Sequence, residues 1–146
     1  AIAGRLQVIT LMAQITKLRV ESELHRLAEL IGAQPNQLPT IDNSKEAWPN
    51  ISFSDSGTVY YEAHERGDEL FCFPAFDLEH LMFMAFKDIT FSMAVEHEHK
   101  HRNPNEDFRR KLFSNQVELM RTLNSDWADR TQKELDAILR TAHFTD

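Results

Sequence analysis

Apolar positions in the first 31 residues recur on one side of a helix. Their spacing of three, four or seven residues matches the helical period of about 3.6 residues. Gly32 is a residue type that ends helices, because glycine adopts the left-handed conformation without a Cβ clash. The pattern therefore predicts a long N-terminal helix over residues 1–32. The positions on its apolar side are Leu6, Ile9, Ala13, Val20, Leu24, Leu27 and Ile31.

The helical pattern stops after Gly32, and a shorter period follows. Three prolines and scattered polar residues predict a loop over residues 33–49. Farther along, Val59, Tyr61 and Ala63 alternate with more polar residues, and a turn signal follows at Arg66-Gly67. Alternation with a period of two is typical of a strand with one buried face. The sequence therefore predicts a small antiparallel β-meander over about residues 50–75.

Three helices are predicted in the rest of the chain. Asp77 can cap the first, whose stretch LMFMAFKDITFSMAV is apolar on nearly every side and indicates a buried helix. Asn103 and Pro104 are expected to start the second helix, and Ser125 the third. We expect Phe91 in the core of the first helix and Phe108 in the core of the second.

These elements predict an α+β fold that is mostly helical, with a long N-terminal helix, the β-meander and then three helices. A length of 146 residues indicates a single domain, made of the N-terminal helix (1–32), the loop (33–49) and a body (50–146). Cys72 is the only cysteine, so no internal disulfide can form, which favours a cytoplasmic location. No apolar run approaches the roughly 18 residues that a membrane span needs, so we expect no membrane contact.

Acidic residues are concentrated in one part of the chain. The formal net charge is −7, and residues 41–80 alone carry 9 acidic and 2 basic side chains. Such a segment repels nucleic acid and attracts cationic partners. Solubility is the alternative explanation for it. No nucleic-acid partner is expected.

The stretch HEHKH, which begins at His97, matches the zinc-hydrolase pattern H-E-x-x-H. His97 and His101 would be metal ligands, Glu98 the general base and Glu118 a third ligand. The motif lies at a predicted helix end and among charged residues, which is a poor setting for ordered ligands. We therefore expect no metal, no cofactor and no enzymatic activity, with a small zinc-dependent hydrolase as the alternative.

Residues 57–146 resemble immunity protein family sixty-three of bacterial polymorphic toxin systems. The resemblance implies a non-catalytic cytosolic protein that binds and neutralises a cognate toxin domain. It also implies that the position of His97 is usually aromatic in the family, and that Asp107, Arg109 and Arg110 form an ion-pair network with His101 and Arg102. The motifs that carry the resemblance are Glu65-Arg66-Gly67, Asp88-x-Thr90-Phe91-x-Met93-Ala94, His101-Arg102, Asp107-Phe108-Arg109-Arg110, Phe113-x-x-Gln116, Trp127 and Phe144-x-Asp146.

The acidic segment and the resemblance together suggest where a toxin would bind. We expect the partner to be a toxin domain with a basic cleft, which an acidic hairpin with aromatic side chains could fill. The N-terminal helix is the competing binding element, and a general interaction module that pairs through this helix is a third possibility. The expected toxin-binding residues are Tyr60, Tyr61, Glu62, Glu65, Asp68 and Glu69.

Overall fold

A computed structural model describes residues 14–146. The chain divides into two compact units. Of the described residues, the sheet unit comprises 14–25 together with Pro39–Met84, and the helical unit comprises Arg26–Leu38 together with Ala85–Asp146. The expectation of a single domain stays a prediction.

The first helix of the described chain, α1, spans Lys17–Ile31. Thr16 caps it, because its Oγ1 accepts a hydrogen bond from the backbone N–H of Arg19 at 3.2 Å and its carbonyl accepts one from Val20 at 3.0 Å. A threonine at a helix N-cap satisfies a backbone donor that would otherwise lack a partner. The predicted long N-terminal helix is therefore wrong: α1 has 15 residues. The part of that prediction over residues 1–13 lies outside the described residues.

Helix α1 ends where the sequence predicted. Gly32 has φ +70°, and the N–H of Ala33 donates to the carbonyl of Ala28 at 2.9 Å. This six-to-one bond is the Schellman arrangement, in which glycine closes a helix. A short 3-10 turn, Pro35–Gln37, follows within the predicted loop.

The sheet has four strands, which are β1 (Thr40–Ile41), β2 (Asn50–Phe53), β3 (Val59–Glu65) and β4 (Asp68–Pro74). They lie in the order β1-β2-β3-β4, with β1 parallel to β2 and the other pairs antiparallel. The prediction of a purely antiparallel sheet is therefore wrong. Strands β2, β3 and β4 pair antiparallel within the predicted range, but β1, which lies in the expected loop, makes the sheet mixed. A two-residue strand has no period to read, and only its pairing with β2 reveals it.

The buried side chain of Asn50 holds this parallel edge together. Its Oδ1 accepts hydrogen bonds from the hydroxyl of Thr40 at 2.7 Å and from the N–H of Asn43 at 3.2 Å. Buried amides need such partners to offset their desolvation. One side chain thus fastens the loop after β1 to the start of β2.

Three longer helices follow the sheet: α2 (Leu78–Lys100), α3 (Phe108–Leu123) and α4 (Ser125–Thr141). Asp77 caps α2 as predicted, accepting from the N–H of His80 at 2.7 Å. The predicted start of α3 at Asn103-Pro104 is wrong, because Asp107 provides its N-cap. All three long helices therefore come after the strands, and within residues 14–146 the α-helix before the strands is the shorter α1.

Helices α3 and α4 form a pair within the helical unit. Asn124 ends α3 and starts α4, since its N–H donates to the carbonyl of Met120 at 2.8 Å and its Oδ1 accepts from the N–H groups of Asp126 and Trp127. The cap predicted at Ser125 is therefore one residue late. The buried apolar residues of this unit are Leu27, Ala28, Ala85, Phe86, Ile89, Ala94, Leu112, Met120, Trp127, Ala128 and Leu135.

Two aromatic residues expected in the core are exposed instead. Phe91 is 47% and Phe108 53% exposed. Helix α2 is apolar on several sides, so the sequence alone does not indicate which of its aromatic residues face solvent.

Substitution of the capping residue Thr16 tests the corrected start of α1. Thr16→Ala is expected to lower the free energy of unfolding by about 1 kcal/mol, because an N-cap hydrogen bond is lost. If the helix continued through Thr16, the same change would stabilise it, since alanine has the higher helix propensity. The measurement is urea unfolding followed by circular dichroism. The control is Ser22→Ala within the exposed side of α1, which should be neutral or slightly stabilising.

Candidate functional site: the hairpin of strands β3 and β4

The hairpin of β3 and β4 turns through only two residues, Arg66 and Gly67. Their φ values are +52° and +81°, the pair of positive values that a type I′ turn requires. The N–H of Arg66 donates to the carboxylate of Glu46, and the N–H of Ala47 donates to the carbonyl of His64 at 2.7 Å. The loop before β2 is therefore hydrogen-bonded to the turn. Glu65 and Asp68 lie opposite each other at the base of the turn.

Strand pairing separates the two tyrosines of the expected toxin-binding surface. Tyr61 pairs with Ile51 on β2 and Phe73 on β4, is 3% exposed, and stacks on Phe71 with ring centroids 5.3 Å apart. Tyr60 is half-buried and points to the opposite face. Of the two, only Tyr60 is accessible to a partner, and Tyr61 is a core residue.

The outer face of the hairpin carries a small polar cluster around Glu62. Its Oε2 lies 3.6 Å from Nε2 of His64 and 3.7 Å from Sγ of Cys72. Burial, and then the carboxylates of Glu62 and Glu69, raise the pKa of the Cys72 thiol. A cysteine with a raised pKa stays protonated at neutral pH and is a poor nucleophile. The cluster therefore presents negative charge rather than a reactive thiol.

The tip of the hairpin presents three carboxylates that form no salt bridge within the described residues. Glu65, Asp68 and Glu69 are exposed, and within residues 14–146 no cationic side chain forms a salt bridge with any of them. Two other acids of residues 41–80 have partners: Asp42 lies 3.7 Å from Nζ of Lys17, and Asp77 caps α2. The three tip carboxylates thus remain available to an external cation.

Exposed apolar side chains on β4 and directly after it were missed by the sequence analysis. Leu70 and Phe73 on β4 are about half exposed, and Phe76 is 83% exposed and stacks on His80 at 4.5 Å. Phe73 pairs with Tyr61 and therefore shares its face of the sheet. Because β4 is the edge strand, nothing within the sheet covers that side of the ring. The exposure of Phe73 follows from the position of β4 at the edge of the sheet. That position is known only from the strand order.

The structure does not bring the residues of the HEHKH motif together as a metal site. Within residues 14–146, no group of three or more His, Cys, Asp or Glu side chains could hold a metal ion. The rings of His97 and His101 stack 4.4 Å apart, and Nδ1 of His101 lies 2.8 Å from the carbonyl oxygen of His97. Glu118 is exposed on α3. His97, His101 and Glu118 therefore do not form the predicted ligand set.

Glu98, the expected general base, is in an ion pair. Its side chain is buried, and Nε of Arg102 donates to Oε1 at 2.8 Å while Nη2 donates to Oε2 at 3.2 Å. This pair raises the pKa of Arg102. The carboxylate is thus held at the end of α2 by a bidentate contact, the geometry that arginine forms best.

A second polar cluster fixes the C-terminal residues to the start of α3. The Asp107 carboxylate accepts from Nη2 of Arg109 at 2.8 Å and from the N–H of Thr145 at 3.0 Å. Arg110 forms a bidentate pair with Asp146, and its guanidinium lies 4.0 Å from the ring centroid of Phe144. The arginines thus pair with Asp107 and the chain end, and not with His101 and Arg102 as the resemblance implied.

Residues 55–137 match the family model described as Immunity protein 63. This range covers more than half of the 146 residues. The chain belongs to the Immunity protein 63 family. The predicted family is therefore confirmed. No curated protein and no solved structure matches the chain.

The Immunity protein 63 match includes the whole hairpin and all three long helices up to residue 137. Membership makes the chain an immunity protein, a class named for protection against a toxin. Within residues 14–146, no helix is both long and apolar enough to cross a membrane.

The Asp107 cluster of this immunity protein predicts a stability that depends on pH. The side-chain and backbone hydrogen bonds from Arg109 lower the pKa of Asp107 far below its usual range. The stabilisation is therefore complete above the unfolded-state pKa of about 3.9 and is lost as the pH falls towards the folded-state value. Asp107→Asn should lower the thermal midpoint clearly at pH 7 and much less near pH 2.

The matched control is Asp129→Asn, which removes an exposed pair with Arg121 and should change the midpoint little at either pH. Thermal unfolding at both pH values measures the difference. An Asp107→Asn effect that is equally large near pH 2 would contradict the role given to the ionised carboxylate.

Proposed function

We propose that this chain is a cytoplasmic immunity protein that binds and neutralises a cognate bacterial toxin domain without catalysis. The family supports an immunity role. The location of the toxin-binding surface is supported by three exposed carboxylates at the hairpin tip that form no salt bridge: Glu65, Asp68 and Glu69. A surface of this kind attracts a basic partner and accelerates its association.

The proposed partner surface is a basic cleft on the toxin. A toxin domain that acts on nucleic acid or nucleotides needs cationic side chains to hold phosphates. The hairpin tip is narrow, since two residues connect its strands, and it presents carboxylates that can pair with those cations. Occupation of the cleft by the tip would exclude the substrate.

The free edge of β4 supports docking through side chains rather than by addition of a strand. The N–H of Ala75 donates to the carbonyl of Val59, so Pro74, one residue earlier, faces the free edge, where its missing N–H cannot serve a partner strand. The register shift at Ala63 and His64 also interrupts the strand pairing. Proline and bulges are common protections of an edge strand against strand addition.

Apolar and aromatic side chains along the hairpin would supply the remaining contacts. Leu70 follows Glu69 on β4, and Tyr60 lies farther from the tip on the outer face of β3. Aromatic residues adjacent to charge commonly contribute most of the binding free energy in protein interfaces. In this proposal the charges set the rate of association, and these side chains set the lifetime of the complex.

Charge reversal at the tip tests the proposed surface. Glu65→Lys with Asp68→Lys should slow association with the toxin domain by about tenfold or more at low salt, because attraction becomes repulsion. The difference should shrink as salt screens the charges. The measurement is the association rate constant by stopped-flow fluorescence at two salt concentrations.

The matched control is Glu118→Lys with Asp136→Lys, which changes the net charge equally on exposed residues of α3 and α4. It should reduce the association rate far less than the tip variant. Equal slowing by both pairs would show that total charge, and not the hairpin, attracts the toxin.

The adjacent tyrosines provide a second test within one strand. Tyr60→Ala should weaken toxin binding by about tenfold or more, as the loss of an aromatic anchor does, with little change in stability. Tyr61→Ala should instead cost roughly 3–5 kcal/mol of folding free energy, since a buried aromatic side chain is removed. Titration calorimetry and urea unfolding of both variants measure the two quantities. Unchanged toxin affinity in Tyr60→Ala would exclude the outer face as the contact.

A further inference from the structure

The end of helix α2 places two histidine side chains next to each other on one exposed face. His97 and His101 are four residues apart, and residues at this spacing are neighbours on a helix surface. The helical turn is intact here, because the N–H of His101 donates to the carbonyl of His97 at 3.2 Å. The rings stack with their centroids 4.4 Å apart and their planes at 29°, and both residues are exposed. Two imidazoles are therefore held side by side at the surface.

The backbone selects which nitrogen of the His101 ring carries the hydrogen. Nδ1 lies 2.8 Å from the carbonyl oxygen of His97, and a carbonyl oxygen only accepts hydrogen bonds, so Nδ1 is the donor. The lone pair of the neutral ring then lies on Nε2, where a metal ion can bind. Metal-binding histidines are usually held by such a hydrogen bond from the other ring nitrogen. His101 is therefore already in the form that a metal ion requires.

A pair of neutral imidazoles favours one class of ligand. Imidazole binds divalent transition-metal ions such as Zn²⁺, Ni²⁺ and Cu²⁺, whereas Mg²⁺ and Ca²⁺ prefer oxygen ligands. Zinc–nitrogen distances of about 2.0–2.1 Å place two ligand atoms of a tetrahedral ion roughly 3.3 Å apart. Since the two ring centroids are 4.4 Å apart, a small rotation of the side chains brings both rings onto one ion.

The charges near the pair do not occupy its nitrogens. Arg102 forms a bidentate contact with Glu98, so the positive charge of this arginine is balanced. Nζ of Lys111 donates to the backbone carbonyl of His101 at 2.6 Å, which keeps an ammonium group close to this turn. Its charge lowers the affinity for a cation, but it makes its contact with the backbone and leaves both rings open.

We propose that His97 and His101 chelate one divalent transition-metal ion, with water at the remaining coordination positions. This differs from the sequence-based expectation of no metal. It is also not the hydrolase site, which needs three protein ligands; within residues 14–146 no group of three or more such side chains could hold a metal ion. Glu98 stays paired with Arg102, so no catalytic step is assigned. The open positions leave the bound ion accessible to a ligand from another molecule.

Isothermal titration calorimetry of the full chain with Zn²⁺ tests the chelate. One equivalent should bind, and Mg²⁺ should not. His97→Ala and His101→Ala should each lower the Zn²⁺ affinity by at least about tenfold, because the second ligand of a chelate binds at a high effective concentration. The double variant should lose little more than either single one, since one histidine alone cannot chelate. Zn²⁺ should also raise the thermal midpoint of the natural chain but not that of His97→Ala.

The matched control on the same helix is His99→Ala. His99 is exposed and lies two residues from each member of the pair, on another side of the helix, so this variant should bind Zn²⁺ like the natural chain. Circular dichroism confirms that each variant folds. Absence of Zn²⁺ binding to the natural chain would overturn the proposal, as would an equal loss of affinity in His99→Ala.

A second control separates this site from the hairpin. His64 lies beside Glu62 and near Cys72 on the outer face of β3 and β4, so His64→Ala removes a ligand type from the polar cluster there. It should leave Zn²⁺ binding unchanged, and a loss of binding in this variant would place the ion on the hairpin instead. The metal site does not rest on toxin binding: His97→Ala should retain the toxin affinity of the natural chain, and the charge-reversed hairpin should still bind Zn²⁺.

Discussion

The pairing of strand β3 on both of its sides is the constraint on which the sheet unit depends. Its register with β2 and β4 places Tyr61 in the interior and leaves Tyr60 on the outer face. A shift of one residue would exchange the two faces. The two-residue turn with positive φ at Arg66 and Gly67 keeps that register, because the turn allows only one alignment of the flanking strands. The charged tip is therefore positioned by backbone geometry.

In the helical unit, ion pairs fix the ends of helices rather than form an active centre. Asp107 caps α3 and holds the C-terminal residues, while Glu98 and Arg102 bind one another at the end of α2. A buried carboxylate that is paired with an arginine is held in one position. It is then not available to act as a general base. The HEHKH segment therefore has the residue types of a zinc hydrolase without the arrangement, and its acid serves a structural contact.

The two exposed surfaces differ in the physical force that each would use. The hairpin tip presents carboxylates that act over several ångströms and select a cationic partner. The face around Phe108 combines exposed apolar side chains with the ion pair of Glu98 and Arg102. The two surfaces therefore favour partners of different chemistry.

The sequence by itself determined the family, the end of α1 at Gly32, the start of α2 at Asp77 and the hairpin turn, since each depends on residue types within a few positions. The tertiary structure decided the rest. The parallel strand β1, the burial of Tyr61 and the exposure of Phe91 and Phe108 depend on which distant segments of the chain come into contact. The caps at Asp107 and Asn124 are local hydrogen bonds, but the nearby residues Asn103 and Ser125 are also types that cap helices. Local patterns report which side of an element is apolar, but not whether another element covers it. That physical difference explains why the acidic segment could be found from sequence and its accessible residues could not.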